Sequence, residues 1–418
     1  MKCVAYVSPM VPPEWITAHG LAPSWQQLRT VRRDRDGGTV RGVCPYAAAV
    51  LATATAESGA AALVLTTTCD QMRYAAAMVE RGRSLPVFLM HVPATWQTSA
   101  ARQLYRDELL RLGRFLVQIG GAVPGAETLA RVARRYEAVR RQVVERRAVL
   151  GAREFALAVA EVRGFIDEGG TNVRAAITPA RNISIPTRIA SEGPSLALRV
   201  SIGRLSCRNN KSGNESPRSK VRSPACSETA QTPSAGIPLA LLGGPLLADD
   251  HGILDTIESL GGRIVLDATE SGERTLPGPL DEARLAQDPL DALVDAYFGS
   301  IPDVFRRPNT AMYDWLGREL PSRGVRGIVF RRYLWCDLWH AELQSLREAS
   351  PVPVLDLDAA GDEQSSANRT LARLEAFLEM LSGASSLGKR PSSIRREDDG
   401  AAGGCRDDAC LLRFDHRP

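Results

Sequence analysis

The sequence holds eight cysteines but no CxxC pair, which excludes the zinc-ribbon and ferredoxin ligand patterns. It has no G-x-x-x-x-G-K-[ST] loop and no G-x-G-x-x-G, so nothing points to an ATP or dinucleotide site of its own. No apolar run approaches the roughly 20 residues that a membrane span needs. An excess of one charge is also missing. The net charge is +4 over 418 residues, too little to argue for nucleic acid or a membrane surface as partner. No internal repeat recurs at a fixed short period. The opening MKCVAYVSPMVPPEW lacks the apolar core of a signal peptide, and Pro9, Pro12 and Pro13 interrupt it. These absences predict a cytoplasmic protein whose thiols are reduced, metal-bound or catalytic rather than paired in disulfides.

What is present is ordinary globular composition, 44% hydrophobic and 24% charged, in a chain long enough for two or three domains. The first part alternates strand and helix signals. Strands are expected at Cys3 to Ser8, in AALVLTTT, and at Pro86 to Pro93. Helices are expected from Pro12–Glu14 to Gly20, over 45–58, and in CDQMRYAAAMVERG. Ser99 is the expected cap of a helix carrying Tyr105, Leu109, Leu112 and Leu116 at helical spacing. A second long helix is expected after Pro124, running to Arg153. Residues 170–235 are rich in Ser, Asn, Pro and basic residues, show no periodicity, and read as a disordered insertion.

Alternation resumes at GIPLALLGGPLL. It continues through a helix at HGILDTIESLGG, strands at Arg263 to Thr269, Gly327 to Phe330 and Val352 to Asp358, and a helix ending near Leu381. The expected fold is α/β: two parallel-sheet, flavodoxin-like domains over 1–165 and 236–381, with helical connections and a disordered tail over 382–418.

Three cysteines share a setting. Cys44 stands before a helix, Cys69 follows a strand, and Cys336 follows another. The carboxyl edge of a parallel sheet is where open α/β folds place ligands, and a helix N-terminus favours a thiolate. Spacing alone nevertheless favours three buried structural thiols, since free Cys is among the most buried residue types. Cys3 reads as core, Cys207 and Cys226 fall in the insertion, and Cys405 and Cys410 fall in the tail.

Several segments around these thiols resemble one family. They are YVSPMVPPEWITAHGLAP, GVCPYAAAVL, LVLTTTCDQMR, VPATWQTSAARQLYRDELLRLGRFL, GIPLALLGGPL, LGGRIVLDATESGER, YLWCDLWHAEL, VPVLDLD and RTLARLEAFLEML. Together they resemble the 2-hydroxyacyl-CoA dehydratase and benzoyl-CoA reductase family, in its iron–sulfur subunits. The insertion and tail depart from the family pattern. The resemblance implies that Cys44, Cys69 and Cys336 hold a [4Fe–4S] cluster with one iron left open to water or a substrate oxygen. Asp70 and Arg73 would then orient the loop or tune the cluster, with a plain helix cap as the equal alternative for Asp70.

The implied reaction removes water from a 2-hydroxyacyl-CoA through a ketyl radical after one-electron activation. Reduction of an aromatic thioester, as in benzoyl-CoA reductase, and a non-catalytic, cluster-bearing partner that relays electrons are the alternatives. A metal-free protein with buried thiols is the third possibility. The implied partners are the acyl-CoA, a homologous second subunit forming a heterodimer, and a separate ATP-dependent iron–sulfur activator.

Other residues carry weaker signals. His340 lies one helical turn after Cys336 and is the candidate acid or base; His91 reads as packing at a strand end. Trp335 and Trp339 either shield a cluster or form core. The arginines between 127 and 153 either meet CoA phosphates or, as the interleaved glutamates favour, form a solvated face. LLGGP allows a close backbone approach to a phosphate or a tight turn, with the turn ahead.

Overall fold

The computed structural model describes residues 1–31, 42–55, 59–82, 85–164, 236–359 and 363–387. The expected insertion over 170–235 lies outside the described residues, as does the tail beyond 387.

The first sheet is wholly parallel, in the order β2-β1-β3-β4, from β1 (Cys3–Tyr6), β2 (Ala22–Trp25), β3 (Ala62–Thr66) and β4 (Val87–Met90). The second is β5 (Ile237–Gly243), β6 (Gly262–Ala268), β7 (Gly327–Tyr333) and β8 (Val354–Ala359), parallel in the order β6-β5-β7-β8. Each has the 2-1-3-4 order of a flavodoxin-like sheet. The central strands show why. β3 and β7 are buried at every residue, as a parallel strand covered on both faces must be. The strand β2 is not evident in its sequence, APSW. Its Pro23 is tolerated because β2 pairs only with β1, at the sheet edge.

The helices are α1 (Pro13–Ala18), α2 (Pro45–Thr55), α3 (Asp70–Gly82), α4 (Ser99–Gln118), α5 (Ala126–Glu145), α6 (Ala152–Val162), α7 (Gly252–Ser259), α8 (Glu282–Gln287), α9 (Pro289–Val294), α10 (Thr310–Ser322), α11 (Asp337–Ala349) and α12 (Glu363–Leu387). Several expectations need correction. Thr98, not Ser99, caps α4: its side chain accepts from the Ala101 N–H. The helix expected to run to Arg153 ends at Glu145, and α6 begins afresh at Ala152. The expected strand Cys3–Ser8 stops at Tyr6, while β7 continues past Phe330 to Tyr333 because Arg331 and Arg332 are neutralised within the sheet. Arg331 meets Asp250 at 2.7 Å, and Arg332 meets Asp356 at 3.2 Å. The last helix runs to Leu387, past the expected boundary at 381.

Two charged assemblies join the halves. In the first, Glu14 of α1 is fully buried, is paired with Arg140 of α5, and accepts a hydrogen bond from Tyr297 at 2.7 Å. This Arg140 is the exception on a helix whose Arg131, Arg134 and Arg141 are exposed. The second is an open clasp. Arg102 and Arg106 of α4 meet Asp288, Asp291 and Asp295 of the second half at 2.7–3.1 Å.

Replacing Arg140 by Met strands a buried carboxylate and is expected to cost about 3–5 kcal/mol, seen in the denaturant midpoint. The double variant Glu14→Leu/Arg140→Met should recover much of that loss, because both charges leave together. The clasp predicts a pH signature. Burial alone would raise the Asp291 pKa, but hydrogen bonds and charge from Arg102 and Arg106 outweigh it and hold it below the ordinary value. A depressed carboxylate contributes stability above the unfolded value of about 3.9, lost as pH falls through the folded one. Asp291→Asn should therefore lower the Tm at pH 7 modestly, and the gap from the parent should close as the buffer is made acidic.

Candidate functional site

Both sheets turn their carboxyl edges toward one crevice, and three helices start there. Cys44 precedes α2, whose first residue is Pro45; its Sγ accepts the Ala47 N–H at 3.4 Å and its N–H reaches Gln71 Oε1 at 3.1 Å. Cys69 precedes α3 and follows β3 through Thr67 and Thr68. Cys336 precedes α11 after β7. The three lie in one apolar cluster with Tyr46, Leu65, Met72, Leu247 and Tyr333, which draws on both halves of the chain. The sequence pattern placed one thiol at a helix start and two at strand ends; in the fold all three stand at helix N-termini.

The electrostatics follow from that placement. Burial pushes the Cys44 and Cys336 thiols up to about 11 and Cys69 up to about 12. Backbone N–H groups at the helix starts oppose this, from Ala47 for Cys44, Met72 for Cys69 and Trp339 for Cys336; of these, the Ala47 contact meets full hydrogen-bond geometry. The thiols also raise one another: Cys69 acts on Cys44, Cys336 on Cys69, and Cys44 on Cys336. No side chain among the described residues donates a hydrogen bond to any of the three sulfurs.

Soft sulfur between apolar walls would suit an iron–sulfur group. Among the described residues, no three His, Cys, Asp or Glu side chains stand as a ready site for a single metal ion.

The crevice also holds residues that sequence reasoning missed. Glu270 follows β6. Its N–H donates to the carbonyls of Gly243 and Gly244 at 3.2 and 3.3 Å, and its own carbonyl accepts from Arg163 at 3.2 Å and Thr275 at 2.7 Å. Burial and the charge of Asp303 push its carboxyl up to about 8, against the pull of Arg274 and Arg163. Arg163 closes α6, lies over the Trp25 ring at 4.5 Å and donates to Thr275 at 2.6 Å. Arg274 is buried and ties the ends of β5 and β6 to Asp303, which it meets at 2.9 Å. Glu270 and Arg274 lie in TESGER, which entered the sequence analysis only within a segment that resembles the family; the missed signal was charge beside a buried strand end.

The residues singled out by sequence separate. Asp70 is almost fully exposed and faces Arg73 at 3.6 Å, both at the rim of the first turn of α3. His340 is exposed in the first turn of α11. His91, also exposed, reaches the Thr67 hydroxyl at 3.2 Å at the end of β4. Trp339 is core, against Phe330, whereas Trp335 is 55% exposed with a positive φ of 68°. Cys3 is half-buried at the amino end of β1, and the remaining four cysteines lie outside the described residues. Gly243 serves strand packing: a Cβ there would lie 1.9 Å from the Arg331 carbonyl.

The sequence matches the family described as 2-hydroxyglutaryl-CoA dehydratase, D-component, over residues 9–165 and 221–381. The chain belongs to that family. The match reaches 15 residues upstream of the expected restart at 236, into the segment read as insertion. A search of the curated proteins found no match. The chain is thus a component of a dehydratase-type enzyme, and no helix among the described residues is long and apolar enough to cross a membrane.

Gly243→Ala tests how the second half is assembled. The new methyl group cannot fit against the β7 backbone, so β5 and β7 must separate. The expected cost is about 3 kcal/mol or more, read from chemical denaturation. An unchanged midpoint would show that the strands shift freely.

Proposed function

We propose that this chain is the iron–sulfur subunit of a 2-hydroxyacyl-CoA dehydratase, with Cys44, Cys69 and Cys336 holding a [4Fe–4S] cluster in the crevice. The observation that supports this most is the meeting of three thiols, each at a helix N-terminus, from both halves of a chain of this family. When bound, such a cluster supplies a low-potential electron and a Lewis-acidic iron, which suits loss of water from a position where the thioester does not acidify the C3–H.

The chain's own residues do the rest. The starts of α2, α3 and α11 aim N–H groups at the sulfurs and stabilise their charge. The packed walls of Leu65, Met72, Leu247 and Tyr333 limit water. Asp70 and Arg73 hold the first turn of α3 beside Cys69, and exposed His340 is available to the rim of the site. The sequence carries no phosphate-binding loop, which fits a separate ATP-dependent activator as the electron source. A homologous second subunit completes a heterodimer around the acyl-CoA, in the cytoplasm.

Anaerobic purification followed by iron and sulfide analysis tests the reading. The parent should hold roughly four of each per chain. Cys69→Ser should lose most of them, while Cys3→Ser, at the opposite end of the first sheet, should keep them. A well-folded anaerobic parent without iron would sink the proposal.

A further inference from the structure

We propose that the cavity between α10 and α11 holds the pantetheine arm of the acyl-CoA, with the Asn309 side-chain amide reading one of the arm's own amides; this rests on the dehydratase reading above. The cavity measures about 460 Å³, and Asn309 lines it. Asn309 stands at the cap position of α10, yet its side chain bonds to none of the helix N–H groups. Both its amide atoms, Nδ2 and Oδ1, are buried, and neither has a hydrogen-bonding partner among the described residues. Among those residues it is the one side chain with two such atoms. A buried amide without any bond is costly, and such groups persist where a ligand completes them.

The walls select the ligand. Tyr313 of α10 donates to Glu342 Oε2 of α11 at 2.7 Å, which fixes the two helices across the cavity. Arg307 and Asp314 are exposed on the lining, and Glu342 is buried. The Arg307 Nη1 is already spent on the Val304 and Arg306 carbonyls, at 2.7 Å each. Two carboxylates against one guanidinium disfavour a phosphate, so the nucleotide end of coenzyme A does not suit. A neutral amide offers a donor and an acceptor side by side, which is what the Asn309 amide lacks.

The position fits as well. Both helices start at the carboxyl edge of the second sheet, and the lining residues Glu342 and Ser345 lie about 9–14 Å along α11 from Cys336. The arm is the part of coenzyme A attached to the thioester, so a thioester at the thiol crevice brings the arm to this cavity before the phosphates. Replacing Asn309 by Leu removes an unpaired polar group from a buried position. The fold is then as stable as before or more so, while the hydrogen bonds to the arm are lost. The reacting atoms lie at the crevice, so the loss falls on binding rather than on kcat.

The test measures binding of coenzyme A and of pantetheine to the assembled enzyme, parent and Asn309→Leu, with iron content and denaturant midpoint taken on each. The assignment requires Asn309→Leu to weaken both ligands by about 10-fold, the effect of losing one or two neutral hydrogen bonds. The variant should also raise KM for the acyl-CoA with kcat little changed, and keep its iron and its midpoint. Unchanged binding overturns the assignment and leaves the dehydratase reading intact. Weakening confined to coenzyme A overturns it by placing the nucleotide end here, and so does a parent that does not bind pantetheine. A fall in midpoint or iron in the variant overturns it by showing a structural amide. A parent that holds iron but neither binds coenzyme A nor dehydrates a 2-hydroxyacyl-CoA overturns both.

Discussion

Thiols nearly three hundred positions apart can share a site only if both sheets present their carboxyl edges to the same crevice, and buried charge holds them in that relation. Arg163, at the end of the first half, reaches across to the Glu270 and Gly272 carbonyls and to the Thr275 hydroxyl, while its own carbonyl accepts from Tyr6 in the first sheet. Glu14, Arg140 and Tyr297 make a second crossing deeper in the core. Buried pairs of this kind are weak sources of net stability and strong sources of uniqueness when every partner is satisfied. The halves are therefore held at one angle rather than merely stuck together, and the positions of Cys69 and Cys336 depend on it.

Two opposed electrostatic effects meet at the thiols. Apolar burial disfavours their ionised form, and three helix starts favour it. Burial wins in the protein alone, as the raised thiol pKa values show. A site arranged this way is poor at holding three free thiolates; a shared positive core would favour them. The helix starts would then lower the cost of bringing charge into the crevice without adding a competing side-chain ligand. The positive φ of Trp335, one residue before Cys336, fits the same picture, since backbone strain concentrates where a side chain must be aimed.

Much of this was legible in the sequence, and the misses share a cause. Parallel, doubly covered strands betray themselves as apolar runs, so β3, β5 and β6 were evident. The strand β2 was not, because an edge strand tolerates proline and serine. Periodicity identified α4 and α5, but it passed over the break at 146–151, where no proline interrupts the pattern. The placement of the three cysteines beside strand ends and helix starts was legible from what precedes and follows them. Glu270, Arg163 and Arg274 were not, because the value of a buried charge lies in its partners, and those partners stand far away in the chain, 112 positions for Arg163 with Thr275 and 31 for Arg274 with Gly243. Local pattern carries no record of such pairings.

The same limitation explains why Asp70 attracted attention and Glu270 did not. Asp70 adjoins Cys69 in sequence, yet the turn of α3 carries its side chain outward to Arg73 and water. Glu270 is distant in sequence from each thiol, yet the crossover of the second sheet brings its strand end to the crevice. In an open α/β fold, chemistry gathers at the carboxyl ends of adjacent strands, which are separated in the chain by whole helices. Adjacency along the chain selects residues on one helix, half of which must face solvent. The better guide to a site of this architecture is the first few residues after each strand: Thr67 after β3, His91 after β4, Gly244 after β5, Glu270 two residues after β6 and Cys336 three residues after β7. Of these, Glu270 alone carries a carboxyl.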